Sequence, residues 1–264
     1  MKFAYPVLTE ETRKPSLGAS GKYENILPEL SAIGYDAVEL LVRNPEKIDT
    51  NRLSVLLDEF SLQVASVGTG PVAADDSLTL SNPNQRFEAV QRATSIIDLA
   101  AIFECSVSFG KFRGSVQKSP ILWNTLISNL HSIVDYAAKK NVEILFESQN
   151  KEVMDHLTHT TELVDFIDSH FMKSKVNVMV DIYHVFKAGE SIRNSLKSTK
   201  EKLAYVHISD TDREIPGEGD FNFTGIFTAL KEVNYKGYIA PEIKQSGESM
   251  QAASRSLEYL KQYV

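Results

Sequence analysis

The sequence predicts an α/β fold in one domain spanning residues 1–264: a (β/α)8 barrel of the TIM type. Three observations carry that expectation. Eight short apolar runs alternate with longer amphipathic stretches along the whole chain. Most of the runs are rich in Val, Ile and Phe and brief, which suits strands of a parallel sheet buried on both faces. The 264 residues are also close to what eight such units need.

The elements follow in order. The first run, Lys2 to Tyr5, is succeeded by Ile26, Leu30 and Ile33 at helical spacing, with Gly34 as the stop signal. Ala37 to Val42 precedes a face of Leu53, Leu56, Leu57 and Phe60. Val64 to Val67 precedes Phe87, Val90, Ile97 and Ala101. Ser106 to Phe109 is followed by Trp123, Leu126, Leu130, Ile133 and Val134, with Trp123 expected to pack on the barrel. Val142 to Phe146 leads to Leu163, Phe166 and Ile167. Asn177 to Val180 and Ala204 to Ile208 come next, then Phe227, Leu230 and Val233 with Gly237 as the stop. Tyr238 to Ala240 closes the set ahead of Leu257 and Leu260. After the first strand stands Tyr5-Pro6-Val7-Leu8, without the glycine-rich turn of an open dinucleotide-binding sheet.

Composition narrows the function. An apolar fraction of 42% and a charged fraction of 24% describe a globular enzyme or binding protein with a real core. The net charge of −7, with Lys and Arg scattered, argues against a nucleic-acid partner. No stretch approaches a membrane span or a signal peptide, so a cytoplasmic location without membrane contact is expected. Cys105 is the only cysteine. It excludes an intramolecular disulfide and a thiolate cluster, and its apolar run marks it as a small buried hydrophobe.

Barrel enzymes assemble their sites from side chains at the C-terminal ends of strands. The fifth run ends on Glu147, followed by Ser148-Gln149-Asn150. The sixth ends on Asp181, with His184 three residues on. The seventh reaches His207 and then Asp210, and the eighth ends on Glu242. Four successive strands thus deliver Glu147, Asp181, His207 and Glu242 to one mouth. Three carboxylates and an imidazole make an oxygen-rich, hard site for one divalent metal ion: manganese first, with magnesium or cobalt as alternatives. A cation also relieves the repulsion that three crowded carboxylates would otherwise suffer. Glu39 and Asp210 read instead as helix N-caps or solvated loop acids. Lys111 and Arg113 follow the fourth strand on the same rim. They read either as holders of a phosphate or carboxylate or as solvated cations.

Several stretches resemble the xylose-isomerase-like barrel proteins, in particular the sugar isomerase/epimerase group with its ketose 3-epimerases and hydroxypyruvate isomerases. Gly34-Tyr35-Asp36-Ala37-Val38-Glu39-Leu40 is similar to that family's second strand, and Gly110-Lys111-Phe112-Arg113-Gly114 to its fourth strand and loop. Val180-Asp181-Ile182-Tyr183-His184 resembles its aspartate-x-x-histidine element. Val206-His207-Ile208-Ser209-Asp210, with Arg213 and Pro216-Gly217-Glu218-Gly219, resembles its seventh-strand signature, and Tyr238 to Ile243 its eighth. The resemblance implies that Glu147, Asp181, His207 and Glu242 ligate the metal and that His184 and Arg213 contact substrate oxygens. It also implies that Glu147 and Glu242 move protons. Asn150 keeps its place and is expected with Arg113 to bind substrate, but Glu147-Ser148-Gln149-Asn150-Lys151 departs from the proline that many relatives carry after the glutamate.

The expected activity is therefore isomerisation or epimerisation of a small ketose or related keto-sugar through a cis-enediolate held at the metal, with the two glutamates as acid and base. Loss of a β-hydroxyl begins with the same proton abstraction, so a keto-polyol dehydratase is the main alternative. A non-catalytic sugar-binding barrel is another. A DNA-repair endonuclease on this fold would need further histidines after the third and fourth strands, where Gly68-Thr69-Gly70 and Phe109-Gly110-Lys111 stand. Barrels of this kind often pair through exposed helices, and a homo-oligomer stays open.

Overall fold

The computed structural model describes residues 1–15, 17–245 and 249–264. Eight strands, β1 (Lys2–Leu8), β2 (Ala37–Leu41), β3 (Gln63–Gly68), β4 (Ser106–Phe109), β5 (Ile144–Glu147), β6 (Val176–Asp181), β7 (Leu203–Ile208) and β8 (Tyr238–Pro241), pair in chain order as a closed parallel barrel. All eight overlap the apolar runs that predict them. Closure is made by Lys2 and Phe3 of β1 beside Tyr238 and Ile239 of β8. Two strands carry an extra residue: Ala65 of β3 against β2, at the step from Val38 to Glu39, and Ala204 of β7 against β6. Such bulges re-aim the side chains that follow them, and both lie below residues of the site.

Outside the barrel run α1 (Tyr23–Ile33), α2 (Thr50–Glu59), α3 (Gly70–Asp76), α4 (Arg86–Ile102) and α5 (Pro120–Lys139). After them come α6 (Thr160–Phe171), α7 (Ile182–Lys187), α8 (Ile192–Ser198), α9 (Phe223–Glu232) and α10 (Ser249–Leu260). Their apolar stripes and the outward strand faces form one continuous core. Side-chain caps begin several helices: Asp49 accepts from Arg52 N, Ser119 from Leu122 N and Asn222 from Gly225 N. Gly34 ends α1 in the left-handed region at φ 98°, as expected. Gly237 does not end α9. Asn234 takes the left-handed position at φ 56° instead, since Asn tolerates it. Phe87 is 84% exposed, and α4 buries Ala89, Ala93, Ile96 and Ala100 in its place. Trp123 packs edge-on against Phe166.

Inside the barrel the inward positions are small. Ala4, Ala37, Ala65 and Ala240 surround Leu145, Met179 and Tyr205 in a separate cluster. Those alanines leave space for Tyr205, whose ring plugs the barrel below His207, 5.6 Å away between centroids. The plug closes the floor of the site from below. No helix among the described residues is long and apolar enough to cross a membrane.

Candidate active site and metal centre

A cavity of about 590 Å³ opens at the C-terminal ends of the strands, lined by Glu39, Glu147, His184, His207, Arg213 and Glu242 among others. Two overlapping groups there have ligand atoms within 4.8 Å of one another: Glu147 with Asp181 and His184, and Asp181 with His207 and Glu242. Asp181 belongs to both. The four side chains read from the strand ends therefore converge, with His184 beside them.

Each is held by its neighbours. Asp181 caps α7 by accepting from Tyr183 N at 2.9 Å with Oδ1, which leaves Oδ2 facing the cluster. His207 lies inside β7, and its Nε2 stands 2.7 Å from Glu39 Oε2. Its Nδ1 is buried without a hydrogen-bond partner, 3.7 Å from Glu242 Oε2. An orphaned imidazole nitrogen aimed at carboxylates, its other nitrogen fixed by an acid, matches a metal-ligating histidine. The donor set fits a hard divalent cation, and Glu147, Asp181, His207 and Glu242 could hold one.

Glu39 is the residue that the sequence reading missed. It is neither a cap nor a loop acid but a mid-strand residue of β2, fully buried, receiving Tyr205 Oη at 3.4 Å as well as His207. An acid inside the apolar run Ala37 to Val42 was the available signal, because a buried carboxylate must have a partner. Glu39→Gln is expected to weaken metal affinity by about 10–100-fold with the fold retained. Competition with a metallochromic chelator measures it, and unchanged affinity would remove Glu39 from the site. Asp210 does act as a cap, but a buried one. It accepts from Thr211 N, Gly217 N and Phe221 N and so shapes the loop that carries Arg213. In that loop Asp212 and Arg213 both adopt positive φ, at 58° and 64°.

Arg213 reaches the cavity, where its guanidinium bridges Asp181 Oδ2 at 2.6 Å and Glu242 Oε2 at 2.8 Å and lies over the Tyr183 ring. Asn150 does not line the cavity. Its Nδ2 sits 2.8 Å from His184 Nδ1, so the amide orients that ring, while Arg213 Nη2 stands 3.2 Å from its Nε2. Arg113 also departs from expectation. Fully buried, it donates from Nη2 to the Glu147 carbonyl at 2.6 Å and from Nε to Gly110 O, behind the site rather than on its rim. Gln149 donates to Glu147 Oε2 at 2.8 Å, and a Cβ on Gly110 would stand 2.5 Å from that oxygen, so any side chain there must displace it. Gly110→Ala should push Glu147 aside and cut activity without unfolding the protein, as kinetics beside a circular-dichroism spectrum would show.

The sequence model of the xylose isomerase-like TIM-barrel family matches residues 27–263. The chain belongs to that family. Among its relatives, an L-ribulose 3-epimerase from Methylomonas sp. (strain DH-1) is 27% identical over 218 residues, covering 79% of this chain and 74% of the relative. An inosose dehydratase from Clostridium botulinum is 22% identical, covering 94% and 92%. The crystal structure of a D-allulose 3-epimerase from Methylomonas sp. superposes with a TM-score of 0.82 at 20% identity, covering 100% and 98%. These xylose isomerase-like relatives are thus two 3-epimerases and a dehydratase by name. At the third and fourth strand ends this family member brings Thr69, Gly110 and Lys111 to the cavity, not the histidines of the endonuclease reading.

Without a cation, the charge distribution is uneven. Burial, then Asp181 and Glu242, raise the Glu147 carboxyl to about 8. Burial disfavours the Asp181 carboxylate too, but Arg213, His184 and His207 outweigh it and hold the group down at about 2. Burial would lower His207, yet Glu39 and Glu242 lift it to about 10. Burial lowers His184 to about 4, so its ring is neutral. At neutral pH Glu147 and His207 thus carry protons that a cation must displace. Metal affinity is expected to rise with pH, and binding at pH 7 to release about two protons, read by calorimetry in buffers of different ionisation enthalpy. The same two groups have folded values above their unfolded ones. They favour the metal-free fold at low pH and lose that contribution as pH rises, Glu147 from 4.5 to about 8 and His207 from 6.5 to about 10. A metal-free melting temperature that climbs over this range would contradict the assignment.

Proposed function

We propose that this chain is a divalent-metal-dependent isomerase or epimerase of a small ketose or related keto-sugar. The observation that carries the reading is the convergence of Glu147 and Glu242 on one cluster with Asp181 and His207. Glu147, Asp181, His207 and Glu242 would hold the metal, manganese being our first choice ahead of magnesium or cobalt. Once bound, it supplies Lewis-acid stabilisation to negative charge developing on the substrate oxygens.

The rest is done by the chain's own side chains. One glutamate takes the proton from the carbon beside the carbonyl, and the other returns a proton to the opposite face, which inverts that carbon. A single glutamate shuttling between adjacent carbons gives aldose–ketose isomerisation instead. Gln149 and the bare Gly110 hold the Glu147 carboxylate in place. His184 contacts a substrate oxygen, its ring fixed between Asn150 and Arg213. Arg213 anchors a second oxygen, sharing its donors with Asp181 and Glu242. Tyr205 below and the strand ends around the cavity exclude water from the floor.

A second reading, a dehydratase of a keto-polyol, is supported by the likeness to inosose dehydratases over 94% of the chain. Incubation with a panel of ketoses and polyol-derived ketones, followed by NMR of the products, separates the two. An epimer or isomer supports the first reading. A product lacking one water supports the second, and unchanged substrates throughout would leave a binding role.

A further inference from the structure

Two lysines share the cavity with the carboxylates: Lys111, just after β4, and Lys244, just after β8. Those strands stand on opposite sides of the closed barrel, so the lysines flank the mouth from two directions. Neither side chain makes a hydrogen bond or ion pair among the described residues. Elsewhere on the surface Lys140, Lys187 and Lys202 do pair, with Asp98, Glu152 and Asp168. Lysines serving as counter-charges for the carboxylates would have closed to ion-pair distance. Arg213 has done so, and they have not.

The charge balance points the same way. With a divalent cation bound, the carboxylates of Glu39, Glu147, Asp181 and Glu242 face Arg213, Lys111, Lys244 and the two charges of the ion. That leaves one positive charge in excess at the mouth, on a protein whose net charge is −7. A local field of that sign draws and orients an anion, and a neutral sugar has no use for it.

We propose that the substrate carries an anionic group, a phosphate or a carboxylate, received by Lys111 and Lys244 while its keto end reaches the carboxylate–imidazole cluster. This rests on the reading of the site as a keto-sugar enzyme and names the substrate class within it. Both lysines are exposed and flexible, so they act as point charges rather than as a rigid fork.

Calorimetric titration of inorganic phosphate and of acetate into the Mg2+-loaded protein tests the subsite without requiring turnover. One of the two anions is expected to bind, identifying phosphate or carboxylate. The Lys111→Gln/Lys244→Gln variant should bind it more weakly by roughly tenfold per lysine. In a second arm, a neutral ketose, its phosphate ester and its acid derivative are compared for proton exchange. The matching anionic sugar is expected to exchange at lower KM, with a preference that shrinks as salt rises. Equal anion affinity in the variant, or a preference for the neutral sugar, overturns the proposal. Lysine-dependent anion binding with no exchange from any keto-sugar would uphold the subsite and fault the keto-sugar chemistry instead.

Discussion

Glu147→Gln and Glu242→Gln each lower turnover by roughly 10²–10⁴-fold, the range for removing a positioned acid or base. Each change keeps shape and replaces the group that moves the proton. At position 147 the fold is expected to be indifferent, because burial already keeps that carboxyl protonated below about 8 when no cation is bound. Gln149 can still meet the new amide through its Oε1, which has no partner in the native chain. For a two-base epimerase the losses are not symmetrical. Each variant should still exchange the proton of the one epimer whose hydrogen faces the surviving glutamate. Steady-state kinetics with both epimers, beside a thermal melt, measures this. Wild-type turnover in both variants would remove the glutamates from the chemistry.

Arg113→Ala is expected to lower the melting temperature by roughly 6–15 °C, from a loss of about 3–5 kcal/mol. The guanidinium is completely buried, and burial pulls it down to about 10. Its donors serve the carbonyls of Glu147 and Gly110, so truncation takes the guanidinium from both, leaves Gly110 O only the Arg113 N–H, and opens a cavity behind the cluster. Because Arg113 props the backbone of Glu147, the kinetic loss should fall on kcat rather than KM. A melt unchanged from wild type, together with a raised KM, would return Arg113 to the substrate-binding role that the sequence suggests.

Why the sequence revealed some of this and hid the rest has a physical basis. Strands buried on both faces must be apolar throughout, so β1 to β8 stand out as short runs, and the polar residue ending each run marks the catalytic mouth. That logic found Glu147, Asp181, His207 and Glu242. It passed over Glu39, which sits within β2 rather than after it and whose partner His207 is 168 positions away. Arg113 was misplaced for a related reason. Chain position put it on the rim, but the turn at Lys111 to Arg113 swings its side chain inward, and direction inside a turn is not written in spacing. Asn150 and His184 were both singled out, while the hydrogen bond that makes one the support of the other needs the fold to bring the loop after β5 beside α7. Phe87 fitted a helical period and still faces outward, because alanines at 89 and 93 let α4 lie closer to the barrel than an aromatic face would allow.

The central claim is that this cluster removes a proton beside a carbonyl with the help of a divalent cation. It is tested most directly by incubating the metal-loaded protein in heavy water with a panel of keto-sugars and following deuterium incorporation by NMR. The account predicts deuterium at the carbon next to the carbonyl, lost on chelation, restored by manganese and absent from the Glu147→Gln/Glu242→Gln double variant. Exchange that survives chelation, or tight metal binding without exchange from any keto-sugar, would contradict it.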